Sequence, residues 1–450
     1  ESALSAVSDA RQVGTRGAEA AALITLGTLA DTAGDYKEAR ERLRHAEEKA
    51  REAGALNTEI RAIYFLALSY IDQGEIGLGL EHSARGVQRA EEAGLTWSAW
   101  GIELRARLLL ARYNAGDWPE EDLSRTGRGV SSFVAARLLA PWVQFVVARG
   151  RFDLAERLIP GLRQHWPSDV QLAAFGGDAS IQLAYWRKDH AEALRRTDDL
   201  INFLERIEPG LLAGIRIGAL GVSAAVAQAA DARARGDQSG VDAAVATGER
   251  LLGHGRMCSV VGQPRSGELG PEGRAWLLRL EAAATGLRGP ADPDGWAAAA
   301  EAFGYGAVYE QAICRWHEAE AVLAAGAEAD VPRAKAALAA AHEVAVRLGA
   351  VPLRDAIRDV AHRARVDLGG SAAAASARDV TDPLTDRERD VLERVALGRT
   401  NRQVGEELYI SEKTVSVHLS RVMAKLGASR RAEAVAIAYD RGLLTAPAPD

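Results

Sequence analysis

The chain has 450 residues, 48% hydrophobic and 26% charged, with a formal net charge of -7 and two cysteines, Cys258 and Cys314. These values describe a well-packed chain of more than one domain and exclude a disulfide scaffold, a collagen-like or disordered chain, and a protein that is basic throughout. No apolar run is long enough to span a bilayer and ESALSAVSDARQVG lacks a secretory pattern, so a cytoplasmic protein without membrane attachment is expected. The chain begins at Glu1 rather than at an initiator Met, which leaves open a longer protein whose N-terminal part precedes it.

Internal repetition dominates residues 1–366. Leu26, Gly27, Ala30, Ala39, Leu43 and Ala46 surround a Gly34-Asp35 turn, and a shift of 40 residues finds Leu66, Ala67, Tyr70, Gly79, Ser83 and Gly86 around Gly74-Glu75. Further turn-plus-helix copies read GDWPEEDLSRT from Gly116, GRFDLAERL from Gly150, KDHAEALRRT from Lys188 and GDQSGVDAAV from Gly236. The spacing and the alternation of small with large residues resemble tetratricopeptide repeats. That resemblance implies helix pairs stacked into a superhelix with a concave binding surface.

Between Leu252 and Arg274 the pattern gives way to GHGRMCSVVGQPRSGELGPEG, whose glycines and prolines predict a loop. Helical periodicity returns over Trp276–Gly286, Trp296–Ala302, Tyr309–Ala325, Pro332–Gly349 and Pro352–Leu368. The stretch Gly369–Asp382, GGSAAAASARDVTD, carries no apolar stripe and predicts a flexible linker, placed at residues 367–381.

Residues 382–445 form a second domain. Thr385 with Glu388 and Thr400 with Gln403 have capping-box spacing, Gly398 closes the first helix, and a second helix is predicted over Asn401–Leu408. Ser411 then caps a third helix, in which Val415, Leu419, Val422 and Leu426 make an inward stripe ended by Gly427. Its other face holds Lys413, Ser416, Val417, Ser420, Arg421 and Ala424, with no acid among them. From Glu412 to Arg431 five basic residues stand against one acidic residue, so positive charge is concentrated here in an acidic chain. A fourth helix, Arg430–Arg441, closes a small core. Two short helices joined by a tight turn, the second with a polar outer face, describe a helix-turn-helix.

The stretch LTDRERDVL, the segment Gly398-Arg399-Thr400-Asn401, the SEKTV entry, His418 and Lys425-Leu426-Gly427 together resemble the LuxR-type helix-turn-helix domain. The segment YEQAICRWHEAEAVLAAG followed by LGAVPLRDAIRDV resembles the region preceding that domain in the large ATP-binding LuxR-type regulators. The resemblance implies base contacts from Ser416, Val417, Ser420 and Arg421. It places phosphate contacts at Thr400, Asn401, Ser411 and Thr414 and on Lys425, with Lys413 on the same surface. Ser416 and Ser420 stand where the family often has Lys, and Gly405 where it usually has Ala. It further implies double-stranded promoter DNA as partner, a homodimer on DNA with the closing helix as its surface, an RNA polymerase contact, and a small-molecule or protein inducer on the repeat array.

No Gly-Lys-Ser or Gly-Lys-Thr phosphate loop occurs, so no nucleotide cofactor is expected. Cys314 with His317 is the nearest approach to a metal pair and reads as a packed helix face. His418 reads as a histidine at a helix interface. The tryptophans, including Trp97, Trp100, Trp142, Trp166, Trp186, Trp276, Trp296 and Trp316, read as core. No constellation argues for an enzyme. The expectation is an all-α transcription regulator, a tetratricopeptide-like superhelix followed by a small four-helix domain. A helical scaffold and the truncated half of an ATP-dependent activator are the alternatives.

Overall fold

The computed structural model describes residues 2–120, 123, 130–262, 267–326, 330–366, 368, 386–408, 411–426, 428 and 430–440. All regular structure among them is helical. Contacts divide the chain into two compact units, Glu1–Leu368 and Gly369–Asp450.

The first unit begins with α1 (Ser2–Val13), α2 (Arg16–Thr32), α3 (Tyr36–Glu52), α4 (Leu56–Asp72), α5 (Ile76–Glu92) and α6 (Ala99–Ala115). It continues with α7 (Ser132–Ala148), α8 (Phe152–Arg163), α9 (Val170–Trp186), α10 (His190–Ile207), α11 (Ala213–Ala234) and α12 (Gln238–Val261). It ends with α13 (Pro271–Thr285), α14 (Pro293–Ala302), α15 (Val308–Ala325), α16 (Val331–Leu348) and α17 (Val351–Arg363). Successive helices pack as antiparallel neighbours, α2 on α3, α4 on α5, α9 on α10, α11 on α12 and α15 on α16.

The predicted turns make these hairpins. Gly34 adopts φ +88, and the Asp35 carboxylate then accepts from the Glu38 N–H at 3.1 Å, starting α3. Asp189 and Asp237 cap α10 and α12 in the same way. Lys188 takes the left-handed conformation before Asp189, at φ 61, where the other turns use glycine.

Two sequence expectations fail in this unit. Residues 116–120 do not enter a helix. Trp118 turns inward, donates from Nε1 to the Tyr113 carbonyl at 3.0 Å and stacks on Tyr113, while Arg149 donates to the carbonyls of Trp118 and Pro119. A core tryptophan with its backbone carbonyls already taken has no use for another helical turn; the rest of that segment lies largely outside the described residues.

The expected loop over 252–274 is helix at both ends, α12 running to Val261 and α13 starting at Pro271. Its glycines serve close approach. A Cβ on Gly255 would sit 2.5 Å from Leu280, and one on Gly214 of α11 would sit 2.4 Å from Cys258. The same glycines that weaken the helical signal let the helices approach.

The array also folds back on itself. The turn at Gly74 abuts Pro271 and Tyr305, that at Gly116 abuts Leu348 and Val308, and that at Gly150 abuts Val351 and Pro352. Tyr113 and Trp118 reach Tyr309 with ring centroids 5.9 and 5.2 Å apart, and a single apolar core runs from Leu109 to Ala361. Helix α11 is long and apolar enough to cross a membrane by length and composition, but much of it is buried against α10, α12 and α13. Of the tryptophans, Trp142, Trp166, Trp276, Trp296 and Trp316 are buried as expected, whereas Trp97 is 44% exposed beneath the Arg105 guanidinium.

The second unit contains α18 (Asp386–Ala396), α19 (Asn401–Leu408), α20 (Glu412–Leu426) and α21 (Arg431–Asp440). Thr385, Gly427 and the expected linker, apart from Leu368, lie outside the described residues.

Gly255→Val should lower the urea unfolding midpoint, with a loss of about 1–3 kcal/mol from overpacking. Gly253→Ala, where a Cβ meets nothing within 4 Å, should leave it unchanged or raise stability by up to about 1 kcal/mol. Equal effects of the two changes would show that close helix approach is not what Gly255 provides.

Candidate nucleic-acid interface and repeat-array cavity

Helix α20 has one face in the core and one in solvent. Val415 and Val422 are fully buried, Leu419 and Leu426 nearly so, and Val417, two residues after Val415, is 45% exposed. The stripe enters two clusters. Val415 and Leu419 pack with Val391, Val395, Val404 and Leu408 of α18 and α19, and Val422 and Leu426 pack with Leu392, Ala434 and Ala438 of α18 and α21. This double anchoring fixes the rotation of α20 about its axis.

The start of α19 is a reciprocal capping box. The Thr400 N–H donates to Gln403 Oε1 at 2.9 Å and the Gln403 N–H to Thr400 Oγ1 at 3.3 Å. Ser411 Oγ accepts from the Thr414 N–H at 3.1 Å and lies 2.7 Å from Thr414 Oγ1. The Thr400 hydroxyl and the Ser411–Thr414 hydroxyl pair lie at helix N-termini, where partial positive charge favours an anion. Gly398, at φ +80, ends the first helix as its sequence position predicts.

The ten residues singled out by sequence fall into two groups. Lys413, Val417, Ser420 and Arg421 are exposed on the outer face of α20, with Ser411 exposed at its start and Thr400 at the start of α19. Among the described residues neither Lys413 nor Arg421 has an ion-pair partner.

Asn401, Ser416, Thr414 and Lys425 are engaged within the domain. Asn401 Nδ2 donates to Ser416 Oγ at 3.1 Å, and Ser416 Oγ donates to the Glu412 carbonyl at 3.1 Å. Lys425 Nζ donates to Glu388 Oε2 at 2.6 Å, and Glu388 is nearly fully buried. Glu388, whose expected capping partner Thr385 lies outside the described residues, holds the end of α20. Arg431 was not singled out by sequence, yet it reaches Asn401 Oδ1 at 3.3 Å and the Arg399 carbonyl, tying α21 to the turn before α19. His418 is half-buried, and Gly405 is buried in α19.

The first unit has a half-open cavity of about 460 Å³ where the array folds back, between the ends of α2 and α4 and helices α9, α11 and α13. Asp31, Asp72, Glu272 and the Asp178–Arg216 ion pair line it, together with Tyr36, Phe175 and Trp276. Gln182 Nε2 donates to Asp178 at 2.9 Å, and the guanidinium carbons of Arg216 and Arg279 lie 4.8 and 4.7 Å from the Trp276 ring centroid. Asp72 is exposed at the cavity wall, within the fields of the Asp31 and Glu272 carboxylates and of the Arg107 guanidinium. No short-range sequence pattern gathers these groups; they come from turns and helices up to 245 residues apart, Asp31 to Trp276.

Residues 382–438 match the family described as bacterial regulatory proteins, luxR family. The DNA-binding transcriptional activator DevR/DosR of Mycobacterium tuberculosis is 38% identical over 96 residues, 20% of this chain and 44% of that protein. The transcriptional regulatory protein LiaR of Bacillus subtilis is 40% identical over 63 residues, 14% of this chain and 30% of its own length. The probable transcriptional regulatory protein NarL of M. tuberculosis is 44% identical over 68 residues, 15% of this chain and 32% of that protein. The chain therefore spans less than half the length of each of these curated relatives. The C-terminal domain is a luxR-type helix-turn-helix domain.

Lys425→Ala removes one partner of the buried Glu388 carboxylate and should destabilise the C-terminal unit by about 1–3 kcal/mol. Arg421→Ala, at an exposed position, should change stability by less than about 0.5 kcal/mol. Thermal unfolding of the two variants, followed by circular dichroism, checks the difference; equal midpoints would mean that the Glu388 pair contributes nothing.

Proposed function

We propose that the chain is a cytoplasmic transcription regulator whose C-terminal domain binds double-stranded promoter DNA and whose helical array senses an inducer. The observation that carries the reading is the orientation of α20. Its apolar stripe is consumed by two core clusters, leaving Lys413, Val417, Ser420 and Arg421 in solvent on a face of about the width a major groove admits.

Base contacts fall to Val417, Ser420 and Arg421, with Ser416 at the edge of the surface and already bonded to Asn401. Thr400, Ser411 and Thr414 offer hydroxyls and helix N-termini to phosphates, and Lys413 offers charge. Asn401 and Lys425 act through the fold, Asn401 by bridging α19 to α20 and α21, and Lys425 by its pair with Glu388; the Lys425 side chain is still 37% exposed and adds to the positive surface. Few phosphate contacts come from one such domain, so binding as a homodimer to paired half-sites supplies the rest. The exposed face of α21, with Ala432, Ala436 and Tyr439 at helical spacing, is the dimer surface of this reading. RNA polymerase is the further protein partner. The half-open cavity, sized for a small molecule and lined by ionisable and aromatic side chains, supports a small-molecule inducer.

Fluorescence anisotropy titrations of DNA fragments selected by the chain test the interface. Arg421→Ala should weaken binding to all sequences and make the slope of log affinity against log salt shallower by about one. Val417→Ala should keep nonspecific affinity and melting temperature but lose discrimination at one base position per half-site, worth about 1–3 kcal/mol. If Val417→Ala unfolds the domain, α20 is rotated from the orientation described; if it selects the same sequences with the same preference, Val417 does not read a base.

A further inference from the structure

Three potential metal ligands meet where α10, α11 and α12 come together. His254 and Cys258 are one turn apart on α12, and Glu205 faces them from α10. His254 Nε2 lies 2.9 Å from Glu205 Oε1 and 3.7 Å from Cys258 Sγ, and one ligand atom from each residue falls within 4.8 Å of the other two.

The direction of these contacts matters more than their number. In a nucleophile relay, carboxylate and thiol occupy opposite nitrogens of the imidazole, so that a proton is passed through the ring. Here the carboxylate is bonded to Nε2 and the Cys258 Sγ lies 3.7 Å from Nε2 and 3.9 Å from Nδ1, so the thiol is not set on the nitrogen opposite the carboxylate. The three ligand atoms lie within 4.8 Å of one another. A tetrahedral zinc ion, with bonds of about 2.0–2.3 Å, holds its ligand atoms roughly 3.3–3.6 Å apart, so the observed separations need only small side-chain adjustments to reach it.

The surroundings shape this cluster. The Gly210 N–H donates to Glu205 Oε1 at 3.2 Å and orients the carboxylate from behind. At Gly214 a Cβ would lie 2.4 Å from Cys258 Sγ and 3.1 Å from His254 Cε1, so α11 leaves room for these two side chains only because it has glycine there. Cys258 is fully buried and His254 is 15% exposed, which shields two of the three ligands from bulk water.

We propose that Glu205, His254 and Cys258 form a binding site for a borderline-soft divalent cation of the zinc class, with a fourth coordination position open to water. Thiolate and imidazole select such an ion over magnesium or calcium, which prefer oxygen throughout. Binding replaces the Cys258 S–H bond with a sulfur–metal bond, and the proton leaves to solvent. The ion would fasten α10 to α12 across the first residues of α11. The site does not depend on the DNA-binding reading.

Cobalt titration of the chelator-treated full chain tests the proposal. One equivalent of Co²⁺ should produce thiolate-to-metal absorption in the near ultraviolet together with the visible bands of a tetrahedral ion, and Zn²⁺ should bleach both. Cys258→Ser should abolish the thiolate band, and His254→Gln should abolish the visible bands at the same cobalt concentration. Cys314→Ser should keep both features. In the parent alone, Zn²⁺ should raise the melting temperature. A folded parent chain that shows no thiolate band with Co²⁺, or a band that survives Cys258→Ser, overturns the site. Should Cys258→Ser not fold, the parent titration and His254→Gln decide it.

Discussion

The burial of four side chains on α20 constrains everything else in the C-terminal domain. Val415, Leu419, Val422 and Leu426 sit in two separate clusters, one with α18 and α19 and one with α18 and α21. At about 1.5–3 kcal/mol for each buried aliphatic side chain, a rotation that exposed the stripe would cost more than a small domain has to lose. The outer face is therefore determined by the inner one. Polar links hold the ends of the hairpin, Lys425 to Glu388 at the end of α20, and Asn401 to both Ser416 and Arg431 at the start of α19. Side chains that look like surface chemistry in the sequence thus hold the surface in place.

The helical array solves a different problem with the same economy of contact. Helix pairs bury their faces on their neighbours, but the fold-back also brings distant turns against later helices, and the junction is sealed by Tyr113, Trp118, Phe145 and Tyr309. Small residues permit the closest approaches, as at Gly214 and Gly255. What the fold-back leaves unfilled is a cavity whose ionisable walls come from both halves of the array. Its lining residues belong to helices far apart in sequence.

Local signals in the sequence carried far. Asp35, Asp189 and Asp237 cap their helices, Thr400 with Gln403 forms the capping box its spacing predicts, and α19 spans Asn401–Leu408 as read from the sequence. Each depends on residues within a few positions of one another. The errors came where one residue type serves two purposes. Glycine marks a turn at Gly34 but close packing at Gly255, and a one-dimensional pattern does not separate them. For Lys425, which reads as a phosphate ligand, the structure adds a pair with the buried carboxylate of Glu388, 37 residues away, that no local pattern announces. Cys314 with His317 reads as a packed helix face rather than a metal pair. In the structure His317 bonds Glu320 and stacks on Trp296 and Trp316, while the clustered ligand set is Glu205, His254 and Cys258.

The central claim is that this chain reads DNA sequence through α20. Selection from a random pool of duplex DNA by the full chain, followed by sequencing of the bound fraction, addresses it most directly. The account predicts enrichment of one short motif, present as two half-sites at a fixed spacing. A bound pool as random as the input would contradict it, and would leave the C-terminal domain as a docking module for protein.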